Sequence, residues 1–285
     1  MKPRFISMGI RILIVALAAN VGAVAVCPAQ GTNPNLQPAK EAQDDQNQQL
    51  KERTMSTLPP AVDPQEEAAY KAFFDAGPQA ADTRIQLGND FVQKYPTSHY
   101  AESVYAGLVQ AYYSKQDWKN FYADADKALA LNADDVSVLT MVGWVIPHVI
   151  NPDDPDTQKN LDKAETYEKH AIELIGAMPK PATLTDDQFS QSKAMALSQA
   201  HSGLGLVYFR RQRLEDSVSE LKQATEGAAS PDQTDYYVLG IDLQGLKRYP
   251  ESADAFNRCS QIMGGLQDRC KQNADNARKQ AAQPK

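Results

Sequence analysis

Between Ser198 and Gly265 one pattern of residues is written twice, every position displaced by 35. The first copy reads His201, Leu204-Gly205, Tyr208, Leu214, Ser217, Leu221, Ala224, and the second Tyr236, Leu239-Gly240, Leu243, Tyr249, Ser252, Phe256, Cys259. Each copy splits into two stretches with apolar residues at helical spacing, so each is a pair of amphipathic helices. One such pair cannot cover its own apolar faces, and a unit repeated at this length buries them by stacking on its neighbours. Counting from Ser198 or Gln233, position eight is Gly and positions twenty and twenty-seven are small. Those positions let neighbouring helices close up, while bulky residues at positions four, seven, eleven, seventeen and twenty-four fill the space between. The expected fold is all-α.

This spacing resembles that of tetratricopeptide repeat (TPR) proteins. The resemblance implies a right-handed superhelix of about five TPR-like helical hairpins with a C-terminal capping helix. Other stretches fall on the same positions. Tyr105, Leu108, Tyr112, Trp118 and Ala128 form one unit, in which Val109 replaces the Gly and Phe121 the small twentieth residue. Val142-Gly143 opens another, whose second helix, Leu161 to Ile175 with Ala164 and Ala171, arrives nine residues late after the insertion Pro147 to Asp156. The expected packing residues are Leu108, Tyr112, Gly143, Ala164, Ala171, Leu204, Gly205, Tyr208, Ala224, Leu239, Gly240 and Phe256. The pair from Asp63 to Tyr95 reads as a degenerate unit lacking the Leu-Gly signature. Its ending, Phe91 to Ser98, resembles helix ends in TPR lipoproteins of bacterial outer-membrane assembly. Thr185-x-x-Gln188 is a capping box ahead of a long helix, and Leu266 to Ala281 suits a polar cap on the array.

Residues 1–29 have the form of a signal peptide: Lys2, Arg4 and Arg11, an apolar run from Ile12 to Val26 too short to span a bilayer, then Cys27-Pro28-Ala29. Cleavage after Ala29 is the favoured reading, with a site after Ala25 or lipidation of Cys27 as alternatives. Residues 30–62 are a polar, Gln- and Pro-rich stretch that reads as a disordered linker. Residues 63–265 form the repeat domain, and 266–285 the capping helix and tail. At 42% hydrophobic, 285 residues suffice for a stacked array. The leader holds three cations and no acid, leaving 26 basic against 36 acidic residues and a net charge of −10. Such a surface repels phosphate backbones, so nucleic acid is not an expected partner.

No catalytic constellation is legible, and no metal or cofactor is expected. His99, His148, His170 and His201 share no ligand spacing. Asn151, Asp153, Asp154 and Asp156 in the insertion lack the turn Gly and distal Glu of a calcium loop. The TPR resemblance implies that the first helix of each hairpin lines a concave groove. Carried over by position, it assigns Tyr113, Trp144, His148, Phe209, Arg210 and Tyr237 as the larger groove residues, with Ser103, Gln110, Gln199 and Ser202 among them. Aromatics there suit an extended or helical peptide, although core packing explains Trp144 and Phe209 equally well. The Lys/Asn set with which chaperone-binding members clamp a carboxylate is missing. Arg210, Arg211 and Arg213 serve either a helix C-terminus or a partner's carboxylate. The expected function is a non-catalytic protein-interaction scaffold or adaptor of the bacterial cell envelope, periplasmic or secreted, its partner and oligomeric state left open. A structural lipoprotein subunit, tethered through Cys27, is one alternative. A metal-dependent hydrolase using His148 and the insertion is another. Cys259 and Cys270 are an even pair in an oxidising compartment, and an antiparallel return after Gly264-Gly265 would let them bridge.

Overall fold

The repeat is plainest in its turns. The computed structural model describes residues 63–226 and 230–283, and among those residues it holds eleven helices and no strand. They are α1 (Pro64–Ala76), α2 (Ala81–Lys94), α3 (Ala101–Lys115), α4 (Trp118–Leu131), α5 (Val136–Val149), α6 (Thr157–Ala177), α7 (Asp186–Arg210), α8 (Leu214–Glu226), α9 (Gln233–Gly245), α10 (Tyr249–Gln261) and α11 (Gln267–Ala281). The leader, the linker and Cys27 lie outside the described residues. Three hairpins, α3–α4, α7–α8 and α9–α10, turn on one device. Gln116, Gln212 and Lys247, each at position fifteen of its unit, have φ of 56°, 58° and 60°. The next amide then donates back to position eleven: Asp117 to the Tyr112 carbonyl, Arg213 to Tyr208 and Arg248 to Leu243, at 3.0, 2.9 and 2.8 Å. This left-handed turn satisfies helix-end carbonyls while reversing the chain.

Side chains mark the helix starts. Asp63 accepts from the Gln65 amide with Pro64 at the first helical position, Asp135 accepts from Ser137 and Val138, and Thr185 and Gln188 form the reciprocal capping box. The α5–α6 hairpin differs from expectation. The helix does not stop at Pro147: α5 continues to Val149, and Ile150 donates to the Ile146 carbonyl at 3.0 Å. A proline one turn from the end costs a single hydrogen bond and leaves the following ones intact. The connecting segment is therefore Ile150 to Asp156. The first helix of the N-terminal pair, α1, carries no Leu-Gly dipeptide. The pair's close glycine contact is on the second helix, α2, where a Cβ on Gly88 would come within 2.7 Å of Leu108 and 2.9 Å of Phe73.

Packing follows the size pattern. A Cβ on Gly205 would stand 2.7 Å from Leu221, and one on Gly240 2.7 Å from Phe256. Each eighth-position glycine thus seats the bulky residue at position twenty-four. Ser217 and Ser252, both at position twenty, donate to the carbonyls of Gly205 and Gly240 at 2.9 and 2.7 Å. In the α3–α4 unit the sizes are exchanged: Val109 and Phe121 are large, Ala125 is small, and all three are buried. One core runs through α1–α6 around Phe73, Phe91, Leu108, Phe121, Val142 and Leu161, and includes Val207 of α7. A second joins Leu206 and Leu221 to Leu239, Leu243, Cys259 and Cys270. Adjacent residues of α7 therefore belong to the two cores, and α7 packs on both α5 and α9. The architecture is an all-α helical-repeat array. No helix among the described residues is long and apolar enough to cross a membrane.

Candidate partner-binding face

Tyr113 on α3 and Trp144 and His148 on α5 come together. The Trp144 ring lies 6.3 Å from Tyr113 and 3.8 Å from His148. All three are half-buried. The last turn of α5 orients His148, whose Nδ1 is 2.7 Å from the Trp144 carbonyl oxygen. Burial, foremost, lowers the His148 pKa; the Trp144 carbonyl and Asp232 raise it, and Arg210 lowers it. The Tyr113 hydroxyl is shifted up by burial and then by Asp232. The segment before α9 therefore brings a carboxylate toward this cluster, though Asp232 also caps α9 through the Thr234 amide at 2.7 Å. Phe209 and Tyr237 are half-buried against the second core, and Tyr237 packs edge-on to Phe256 at 5.9 Å. Of the residues expected to lie among these, Gln110 accepts from Arg84 at 3.1 Å. Ser202 is buried and donates to Asp235 at 2.7 Å, so it belongs to the α7–α9 junction.

The arginine cluster is engaged within the chain. Arg210 donates through Nε to the Pro147 carbonyl at 2.8 Å, closing the C-terminal turn of α5. Arg211 bridges Glu165 and Asp162 of α6. Arg213 pairs with Asp216 at 2.7 Å and lies over the Tyr208 ring. These donors tie the C-terminal end of α7 to α5 and α6 and the turn after it to α8. In the insertion, Asn151 and Asp154 accept from the amides of Asp153 and Asp156. No group of three or more His, Cys, Asp or Glu is placed to hold a metal ion among the described residues.

Three carboxyl groups missed at the level of sequence lie inside the array. Asp235 is pushed up to about 7, chiefly by burial and then by Asp232, with the Ser202 hydroxyl acting the other way. Asp242 is buried, with no hydrogen-bond partner for either oxygen among the described residues, and burial raises it to about 6, with the nearby Ser217 hydroxyl acting the other way. Glu168 is fully buried between α5 and α7, with neither oxygen partnered among the described residues. At the array's end the Sγ atoms of Cys259 and Cys270 stand at bonding distance, with their Cα atoms 5.9 Å apart.

No family model matches the sequence, and no curated protein does. Among solved structures the chain is similar to the crystal structure of TTC0263, described as a thermophilic TPR protein in Thermus thermophilus. Identity is 12%, the TM-score 0.47, and the match covers 75% of this chain and 99% of that one.

Proposed function

We propose that this chain is a non-catalytic scaffold or adaptor that holds a peptide segment of a protein partner against Tyr113, Trp144, His148, Phe209 and Tyr237. The observation that carries the reading is the incomplete burial of these five rings, contributed by the first helices of four successive hairpins. Rigid aromatic side chains bury large areas at low entropy cost, which is why they anchor interfaces. A repeat array supplies such anchors along an extended line. The sequence of residues 1–29 supports export to the bacterial cell envelope, as a soluble protein starting at Gln30 or one tethered by lipid at Cys27. Mass spectrometry of the mature N-terminus separates the two; an intact Met1 overturns export.

The test of the face is a Trp144→Ala/Tyr237→Ala double variant, compared with the parent for capture of partners from envelope extract and for thermal stability. Loss of a captured protein with little change in melting midpoint is expected. If the rings are packing alone, the melt falls by the roughly 3–5 kcal/mol typical of a buried aromatic truncation. That outcome overturns the reading.

A further inference from the structure

Glu168 occupies position twenty-four of its unit once the nine-residue delay is counted, the place held by Leu221 and Phe256 in the next two hairpins. The seat is the same. A Cβ on Gly143 would stand 2.6 Å from its Cγ and Cδ, as Gly205 meets Leu221 and Gly240 meets Phe256. The slot has a second wall. A Cβ on Gly203 of α7 would collide with Oε1 of Glu168, and would lie 3.1 Å from the Trp144 Cα. A carboxyl thus fills the junction of three helices, 0% exposed and with no partner for either oxygen among the described residues. Several charged groups on the surrounding helices are committed elsewhere. On α6, Glu165 engages Lys169 and Arg211, and His170 engages Asp134. On α7, His201 pairs with Glu220, and Arg210 with the Pro147 carbonyl. On α5, His148 is held by the Trp144 carbonyl. A carboxylate here is closed off from solvent and has no hydrogen-bond donor among the described residues.

We propose that Glu168 is a proton-dependent latch: α5, α6 and α7 close on the protonated carboxyl, and the junction loosens beneath Trp144 when the proton leaves. Burial alone drives the Glu168 pKa well above its ordinary 4.5, so the sign is determined. The folded state binds one more proton than the unfolded chain from about pH 4.5 upward. Closure is complete below that point, and is lost as pH rises toward the folded-state pKa. Across that window the unfolding constant gains up to about tenfold per pH unit from this group.

The experiment uses the mature chain carrying Trp118→Phe, so that emission reports Trp144, with urea unfolding at several values between about pH 5 and pH 9. Glu168→Gln keeps the shape without the proton, and Glu168→Leu restores the residue type of the next hairpin. Asp235 and Asp242 contribute the same slope to every variant, so the readout is the difference between profiles. The parent is expected to lose stability with pH more steeply than either variant, by up to about tenfold per pH unit in the unfolding constant. Its Trp144 emission shifts over the same range, and that of the variants does not. Should Glu168→Gln fail to fold, Glu168→Leu decides. Parallel profiles for parent and variant, or an emission shift that survives the substitution, overturn the latch.

Discussion

Asp235 shows how much of this array's chemistry depends on single buried groups. Raised from 3.8 to about 7, its carboxyl favours the folded state fully below about pH 3.8, and that contribution is lost as pH rises through 7. A shift of this size corresponds to about 4 kcal/mol at most across the window. Asp235→Asn is therefore expected to flatten the thermal midpoint between pH 4 and pH 7. Asp232→Asn, which removes the like charge, is expected to move the same transition to lower pH. Both are read from melts in a pH series. Asp235 was not legible as buried, because an acid in the first turn of a helix ordinarily faces water and the helix dipole. Glu168 was legible in principle: counting from Gly143 and allowing for the delay lands an acid on a core position. Arg210 was not, since its role depends on where the end of α5 lies relative to α7.

At the scale of the element, three of the hairpins, α3–α4, α7–α8 and α9–α10, join a size code to a left-handed turn. The code was readable because small and large residues recur at fixed spacing. The turn was not, because Gln116, Gln212 and Lys247 are not residues that announce positive φ. A non-glycine residue there costs about 1–2 kcal/mol, part of which glycine returns through its looser unfolded chain. Lys247→Gly is expected to stabilise by about 0.5–1 kcal/mol in urea unfolding. Gly240→Ala is expected to destabilise by about 1–3 kcal/mol, since the added methyl meets the Phe256 ring 2.7 Å away. Ser252→Ala removes the 2.7 Å bond from its hydroxyl to the Gly240 carbonyl, which keeps its helical partner, and is expected to cost about 0.5–1.5 kcal/mol. The length of α5 escaped sequence reading for a related reason. Proline usually signals an end, but one turn from the C-terminus it removes only one bond.

Across the whole molecule, a stacked array is held by nearest neighbours, so a perturbation at one end should stay there. The C-terminal end has its own fastenings. Gln233, at the start of α9, donates to the Cys259 and Ile262 carbonyls at 3.2 and 2.8 Å and accepts from the Leu266 amide at 3.2 Å. Gln244 donates to Gln280 at 2.8 Å, and Cys259 meets Cys270 across a separation of 11 residues. Closing so short a loop contributes roughly 3 kcal/mol through loop-closure entropy. With the bridge reduced, or with Cys270→Ala, hydrogen exchange is expected to accelerate first in α11 and then in α10, where Cys259 loses its cover. Protection in α3 to α5 should remain unchanged, because those helices draw on the other core. Thiol titration under denaturant, before and after reductant, fixes the redox state to which the exchange data refer. Two free thiols before reduction would remove the bridge from this account, leaving Gln233 and Gln244 as the fastenings of the cap. Acceleration spread evenly from α3 to α11 would show instead that the two cores unfold as one unit through α7, where Leu206 and Val207 belong to opposite sides.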